Sequence, residues 1–525
     1  MSVKPTWKFE MGPVGWTDYA ADVLQSVPIK VKYGITSGRL DDRVADTGYL
    51  TLALDNSASN SVGTAGRYSP GNPAANAALL PGQLCKLTIT YAGTAYCKFY
   101  GWIDTEGIQV DSGSTGKRRT YVTVKDWMGL PASTELGQIP YADDQRLGDI
   151  VASVANAIPG YGGIAESDKG GLSVFAASYD GEANGVKGLS ELSRAAISEL
   201  GYVYPYYRQD TATHRLRAEG RHFRNDVMND NAPVVTLDNN VLTNAVPVFP
   251  SYDSVKVKVT PRRADGDYVT LYSLTSPQFL KAGGTVAVVG RYVDPNNTDV
   301  YVTAKYMDAM AGTADYLFNT FSNGQGTNLT ANLTVTEQYG ANSAYIHLVN
   351  AGTVDGYITK LQCRGKGIYR EKPLEYVAAY IYSEDERLPP DGTGLYATTD
   401  SLYLDMRYQD NIEEASTIAD YLFNKINPKV GQVKFSEVTF YPNTTDALMT
   451  AFLNADVGSH IRITEDITGE SGDDYFINGV AYEITPGSNI IKCTWYVQWD
   501  TENTAYWILG VAGRSELGAT ANPAP

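Results

Sequence analysis

One pattern occurs twice in this chain, once near each end, and it restricts the fold more than any other feature. Residues 79–90 read LLPGQLCKLTIT, followed by a short turn and by KFYGWID at 98–104. Residues 456–464 read DVGSHIRIT, followed by an acidic turn and by YFINGVAY at 475–482. In each place a glycine, Gly82 or Gly458, opens an alternating strand that ends Ile-Thr. A second glycine, Gly101 or Gly479, interrupts an aromatic-rich return strand. Each copy then runs into one more alternating strand, RRTYVTVKDW at 118–127 and IIKCTWYVQW at 490–499. Period-two alternation marks strands with one buried face. The repeat therefore predicts two similar small β-barrels that offer nearly the same surface twice. Three copies of such a chain would present six quasi-equivalent surfaces.

The chain has 525 residues, enough for about three to five domains. Tyr (38) far outnumbers Phe (13), and Gly (50) is abundant. Tyr suits half-buried strands and contact surfaces, and Gly supplies turns and bulges. The formal net charge of −17 argues against a duplex-DNA-binding protein, which needs Lys and Arg to displace counterions. It leaves open a pore through which DNA passes, because an acidic wall repels DNA and keeps it from sticking. None of Cys85, Cys97, Cys363 and Cys493 sits in a Cys-x-x-Cys pair, and they read as buried small apolar residues. A hairpin turning at Ala92–Thr94 would not place Cys85 opposite Cys97, which argues against a bridge. The segment MSVKPTWKFEM has no apolar signal core, and no window is apolar enough to span a membrane. Synthesis in a reducing cytoplasm and function without a lipid anchor are expected.

Residues 1–135 read as all-β, with strands at Pro28–Tyr33, Gly48–Leu54, Leu84–Tyr91, Ala95–Trp102 and Thr120–Trp127. A long Asn/Ser/Ala/Gly/Pro stretch between Leu54 and Leu79 has no periodicity. Such a loop has little core of its own and reads as an assembly loop ordered by a partner, with Asn56, Tyr68, Pro70 and Asn72 as its candidate residues. Residues 136–245 form an α+β domain. Its first helix presents Leu147, Ile150, Val151, Val154, Ala155 and Ile158 on one face. Its second runs from about Leu189 to Leu200, with Gly201 as C-terminal cap. Strands at 202–207 and 214–219 follow. Residues 246–267 and 363–430 make a connecting α+β domain, with a strand at Tyr252–Thr260 and a helix whose apolar face is Ile412, Ala415, Ala419, Leu422, Phe423 and Ile426. Between them, 268–362 reads as an inserted β-sandwich. The second barrel occupies 431–510, and 511–525 is a loose Gly/Ala/Pro-rich tail.

Little in the sequence supports catalysis or a cofactor. His214, His222, His347 and His460 lack ligand spacing. The acidic runs Asp294–Asp299 and Glu470–Asp474 could hold Ca²⁺, but neither matches the twelve-residue calcium loop, and both read as solvated turns. No nucleophile elbow, zinc-protease or P-loop motif is present. Asp126-Trp127 and Trp499-Asp500 end matching strands, a place that caps a barrel rather than one that catalyses. The insert's Tyr292, Tyr301, Tyr306, Tyr316, Tyr345 and Tyr357 could form a platform for sugar rings. Tyr292, Tyr301 and Tyr357 are its candidate surface residues, although a sandwich core also needs aromatics.

The succession LALDNSAS (52–59), RYSPGNP (67–73), LLPG (79–82), FYGWID (99–104) and VTVKDWMGL (122–130) resembles the amino-terminal part of baseplate hub or tail-tip proteins of tailed bacteriophages. YFINGVAYEIT, the following WYVQW and WILG (507–510) are similar to the end of the same proteins. The resemblance covers the chain apart from the insert. It implies a mainly β chain with two tail-tube-like barrels, and a homotrimeric, non-enzymatic hub without cofactor, sited at the virion tail tip. Such a hub adapts a sixfold tail tube to a threefold tip. Its partners would be a distal tail or tube ring protein, the tape-measure protein and tip or fibre proteins. DNA would pass through without sequence-specific binding. The rival readings are a hexameric distal tail ring protein and a surface adhesin whose insert binds host glycan.

Overall fold

A computed structural model of the chain describes residues 3–499 apart from 13–14, 38, 112–116, 137–138, 140–143, 159–164, 167–170, 172, 176–178, 180–185, 209–212, 225–226, 228–230, 249–253, 380–400 and 427–433. The five strands expected near the N-terminus form, preceded by two that were not expected. They are β1 (Thr6–Met11), β2 (Thr17–Asp18), β3 (Ile29–Gly34), β4 (Asp46–Asp55), β5 (Leu84–Tyr91), β6 (Thr94–Asp111) and β7 (Arg119–Lys125). In β3 the apolar Ile29, Val31 and Tyr33 are buried, while Lys30 and Lys32 face solvent. The β5–β6 hairpin turns at Ala92 and Gly93, both at positive φ, as a two-residue hairpin loop requires. Thr88, not Cys85, lies opposite Cys97, and all four cysteines are buried and unbridged.

A small α+β unit follows. β8 (Ala165–Glu166), β9 (Tyr202–Arg208) and β10 (Thr213–Glu219) form one sheet in the order β8-β10-β9. The helix Leu147–Ala157 buries Leu147, Ile150, Val151, Val154 and Ala155, the face its periodicity predicts. The helix Gly188–Glu199 ends one residue earlier than expected. Leu200, not Gly201, takes the left-handed cap conformation, and the Gly201 N–H donates to Ala196 O at 2.9 Å.

The chain continues through β11 (Thr236–Leu237), β12 (Leu242–Val248) and β13 (Ser254–Val259) into the insert. The insert strands are β14 (Arg262–Ala264), β15 (Val269–Ser273), β16 (Gln278–Leu280), β17 (Thr285–Arg291), β18 (Val293–Asp294), β19 (Asn297–Tyr301), β20 (Thr303–Met307), β21 (Tyr316–Asn319), β22 (Leu333–Tyr339), β23 (Ser343–Asn350) and β24 (Gly356–Arg370). One sheet gathers β14, β15, β16, β20 and β21 around the long β24, and another has the order β17-β23-β22. The two share a core of their own that includes Leu271, Tyr292, Phe318, Ile346, Leu348 and Ile358. The host resumes with β25 (Leu374–Ala379) and β26 (Ser401–Met406), which flank β13. The helix Ile412–Ile426 covers this sheet, burying Ala415 and Ala419 against Val255, Val257 and Leu404.

The C-terminal copy comprises β27 (Lys434–Phe440), the helix Asp446–Asn454, β28 (His460–Glu465), β29 (Glu470–Thr485) and β30 (Ile490–Trp499). Thr445 caps that helix, its hydroxyl accepting from Leu448 N at 3.2 Å. The described residues do not close into the two expected barrels. Strands of both copies form one open sheet in the order β12-β27-β30-β29-β3-β4-β7-β6-β5-β1-β2, with β28 and β11 branching from β29. The physical reason is β3. Its outer edge, which closure of the first barrel would use, is taken by β29. A single core runs beneath, holding Phe9, Leu87 and Phe99 from one copy with Phe452, Ile461, Tyr482 and Trp495 from the other.

Candidate functional site

The two copies meet edge to edge. Ile29–Gly34 of β3 pairs antiparallel with Gly479–Ile484 of β29, Gly34 opposite Gly479. The N-terminal half of β29 pairs with β28, so β28 departs where β3 arrives. Two glycines let the backbones cross. Gly34 has φ +90, and a Cβ there would lie 2.6 Å from Asn478 O; a Cβ on Gly479 would lie 2.7 Å from Ile35 O.

Side chains lock the same seam. The Tyr33 hydroxyl donates to Asp456 Oδ1 at 2.9 Å. Lys98, from β6, is buried and donates to the carbonyls of Phe452 (2.9 Å), Leu453 (3.3 Å) and Ala455 (3.2 Å) at the C-terminus of the helix Asp446–Asn454. A cation suits that end, where carbonyls lack helical partners. Burial pushes the Lys98 ammonium below its ordinary pKa, against the attraction of Asp456. The Tyr482 hydroxyl donates to Lys98 O at 3.1 Å, and Trp7 Nε1 donates to Asn489 Oδ1 at 3.0 Å.

The repeat has the same hydrogen bonds in both copies. Gly82 N donates to Ile103 O, and Gly458 N to Ile477 O, both at 2.8 Å; the two glycines have φ +81 and +83. Gly82 and Gly458 thus match as expected, but Gly101 and Gly479 do not. Gly101 faces Cys85, and the residue in that place in the second copy is Tyr475, facing Ile461. The mismatch comes from bulges of unequal size. After Ile103 (opposite Val124), β6 bulges and resumes with Ile108 opposite Val122. After Ile477 (opposite Val497), β29 bulges by one residue and resumes with Gly479 opposite Tyr496, which brings Val480 opposite Trp495.

Ile108–Asp111 is therefore the counterpart of Val480–Glu483. The β29 segment is covered by β3, whereas the β6 segment has only β7 beside it among the described residues. By the same register β12 is the counterpart of β3, since β12 pairs with β27 as β3 pairs with β4. Among the described residues β12 has no second partner. Among the described residues the sheet thus leaves β12 and Ile108–Asp111 each with one unpaired edge, and each is the counterpart of a segment paired at the internal seam. The polar run Asp104–Gly107 inside an alternating strand was the sequence signal for the bulge. Nothing local marked β12 as part of the second copy.

The residues singled out from sequence fall in different settings. Asn56 and Tyr68 are buried, while Pro70 and Asn72 are exposed. The loop also has more internal order than its composition promised. Tyr68 donates its hydroxyl to buried Asp22, which also accepts Ser61 N at 2.5 Å and Ser61 Oγ at 2.8 Å. Asn56 Oδ1 accepts from Tyr68 N at 2.7 Å, and Tyr68 O accepts from Thr120 Oγ1 at 2.7 Å. Polar side chains build this framework, which is why apolar periodicity did not reveal it. In the insert, Tyr292 is fully buried and belongs to the core, not the surface. Tyr301 and Tyr357 are half-buried, and Tyr357 packs edge-on against Phe279, itself 48% exposed.

Charged groups around the sheet are mostly matched. Asp126, fully buried at the end of β7, accepts from Gly48 N (2.8 Å) and Met128 N (3.0 Å), and so it ties the strand end to the backbone on both sides. Burial pushes its carboxyl up to about 7, against these two bonds. In the acidic run Glu470–Asp474, Asp473 pairs with buried Lys434, and Asp474 lies 3.0 Å from Arg462 Nε. That run is a paired network rather than a solvated turn. The exposed face beside the seam carries Lys30, 3.1 Å from Glu483, Lys125, 2.8 Å from Asp104, and Lys32 over the Tyr496 ring. Among the described residues no group of three or more His, Cys, Asp or Glu side chains could hold a metal, and no helix is long and apolar enough to cross a membrane.

No protein-family model matches the chain, and no curated protein matches it. Among solved structures it is similar to the tail protein from Neisseria meningitidis MC58, at 10% identity, covering 94% of this chain and 97% of that one, with a TM-score of 0.42. It is similar to the 43 kDa tail protein of prophage MuSo2 from Shewanella oneidensis, at 10% identity, covering 94% of this chain and 100% of that one, with a TM-score of 0.45. A Francisella PdpA–VgrG complex is similar at 10% identity over 95% of this chain and 58% of that one, with a TM-score of 0.34.

Proposed function

We propose that this chain is a structural component of a phage tail tip, a homotrimeric hub whose two strand copies per chain build a ring of six. The observation that carries this reading is the internal seam together with its two unused counterparts. β3 meets β29 inside the chain. A neighbouring chain's β12 laid along Ile108–Asp111 would repeat that contact between chains. Strand addition of this kind supplies backbone hydrogen bonds and covers an otherwise exposed edge. The contact is head-to-tail, so it closes into a ring when the rotation permits. Three chains with two copies each give pseudo-sixfold symmetry, the match needed between a sixfold tube ring and a threefold tip. The sheet face without the helix Asp446–Asn454 would line a channel through which tape-measure protein and DNA pass. The motif order described above supports the same reading.

Native mass spectrometry of the full chain tests it. Three copies are expected. Six would favour the distal ring reading, and a chain that stays single at micromolar concentration would overturn both. In that last case the pair of exposed Phe279 and half-buried Tyr357 makes a glycan-binding insert the next reading, to be read out on a glycan array.

A further inference from the structure

Arg43 is a buried cation that forms no ion pair among the described residues. The residue is 5% exposed. Its Nη1 donates to Leu200 O at 2.8 Å, and its guanidinium lies 4.8 Å from the centroid of the Tyr202 ring. Among the described residues these are its side-chain hydrogen-bond and ring partners, and Asp41, itself paired with Arg39, lies near enough to feel its charge. A buried guanidinium without counter-charge is costly.

Two more arginines share its surroundings. Arg224, 4% exposed, lies 3.6 Å from the same Tyr202 ring. Its Nε donates to Glu219 Oε2 at 3.1 Å and its Nη1 to Asn478 Oδ1 at 2.7 Å. Arg221 Nη1 donates to Glu414 Oε1 at 2.8 Å. With Tyr202, Phe476 and Trp499, the three arginines line one cavity of about 40 Å³. Four donors on these residues are buried without an acceptor among the described residues: Arg43 Nε, Arg221 Nε, Arg224 Nη2 and Trp499 Nε1. Buried donors are satisfied in the great majority of cases, so four around one cavity call for a common acceptor. Water could accept hydrogen bonds but could not balance charge. Three guanidiniums against Glu219 and Glu414 leave the cavity positive, since Asp41, the other carboxylate that feels Arg43, is paired with Arg39. Its volume exceeds the roughly 10–15 Å³ that one water needs.

We propose that this cavity is an anion site that takes a small oxyanion of the phosphate or carboxylate class. Its oxygens accept from the four donors, and its charge balances Arg43. The site joins parts far apart in sequence: the segment before β4, the residues around β9 and β10, the helix Ile412–Ile426, and strands β29 and β30. A bound anion therefore cross-links the α+β units to the C-terminal copy. The site does not depend on the hub reading.

Calorimetric titration of the full chain with inorganic phosphate, and separately with acetate, at matched ionic strength in chloride, tests this. Saturable binding of one ion per chain is expected, and the tighter of the two ions assigns the class. Arg43→Met is expected to weaken binding roughly tenfold or more, because a charge-assisted donor is lost. If that variant does not fold, Trp499→Phe removes the Nε1 donor alone and is expected to weaken binding roughly threefold. No saturable binding of either ion, or unchanged affinity in the folded variant, would overturn the proposal.

Discussion

Val110 and Tyr482 occupy the same position in the two copies, yet Val110 is 37% exposed and Tyr482 is 2% exposed. Val110 lies opposite Thr120 and Tyr482 opposite Cys493, at matching steps from the Ile103–Val124 and Ile477–Val497 pairs. Two things cover Tyr482: β3 beside its backbone, and the Phe452 ring edge-on against its side chain at 5.4 Å. β3 covers the edge at Tyr482, and Val110 has no such cover among the described residues.

This asymmetry separates assembly from folding. Val110→Lys places a charge on the free edge, a device by which natural sheets block edge pairing. The variant is expected to keep its circular dichroism and thermal midpoint while losing self-association in light scattering. Tyr482→Ala, by contrast, hollows the core and should cost about 3–5 kcal/mol in urea unfolding. A Val110→Lys chain that still assembles normally would rule out that edge as the contact.

Gly82 and Gly458 share a left-handed backbone but not their surroundings. A Cβ on Gly82 meets nothing within 4 Å, whereas one on Gly458 would lie 2.0 Å from the Tyr204 hydroxyl and 2.7 Å from Glu219 Oε1. Gly82→Ala should therefore cost only the strain of positive φ, about 1–2 kcal/mol. Gly458→Ala should cost clearly more, because it also displaces the buried Tyr204–Glu219–Arg224 network. Equal losses in parallel urea titrations would show that this network yields freely.

Local pattern made much of this fold legible, and non-local pairing hid the rest. β5 matches its predicted span, and Ala415, Ala419 and Leu422 of the helix Ile412–Ile426 are buried as predicted, with Ile418 besides, because each element shows its period within a few residues. The β3–β29 seam joins residues at opposite ends of the chain, and no local period encodes a partner. The Gly101–Gly479 match failed because bulges of different length shift spacing without changing hydrogen bonding. Tyr292 was misplaced because it sits between β17 and β18, outside either strand, where no period assigns a residue to a face. Arg43 carried no signal at all, since a lone arginine in a polar loop reads as solvated.

Asp126 gives the fold a pH dependence of definite sign. The folded carboxyl keeps its proton up to about pH 7, while an unfolded one releases it near 3.8. Between these values the folded state alone binds the proton, so this contribution to stability is lost as pH rises and is gone above about 7. Asp126→Asn keeps an oxygen for Gly48 N and Met128 N and cannot ionise. Its stability should change less than that of the parent chain between pH 5 and pH 8, measured by urea unfolding. Identical pH profiles would show that Asp126 is already ionised at pH 5.

Tyr68 holds the long loop from inside. Tyr68→Phe removes the hydroxyl bonded to Asp22, a carboxylate that is 3% exposed. The expected cost is about 1–3 kcal/mol, that of weakening a buried charged acceptor. The loop should loosen first, so trypsin should cut after Arg67 faster than in the parent. A resistant loop would mean that Asn56 and Asn60 suffice to hold it.

The insert sits in the turn of a hairpin, and this makes it removable. β13 and β25 pair antiparallel up to Val259 opposite Leu374, and Glu371 N donates to Pro261 O at 2.9 Å. The two ends of the excursion thus lie one hydrogen bond apart, the geometry that inserted domains need. Its core is separate from the others, and the described backbone contact with the rest includes Ala341 N to Ile139 O at 2.8 Å. Replacing Arg262–Arg370 by Gly-Gly would turn the excursion into a short hairpin loop. The chain also loses the Arg262 bonds to the carbonyls of Thr260, Arg407 and Tyr408, a local cost at the edge of the sheet. The shortened chain is expected to be soluble and cooperatively folded, and to form the same number of copies as the parent in native mass spectrometry. An insoluble product, or a folded one that no longer assembles, would show that the insert is part of the assembling core and not a peripheral addition.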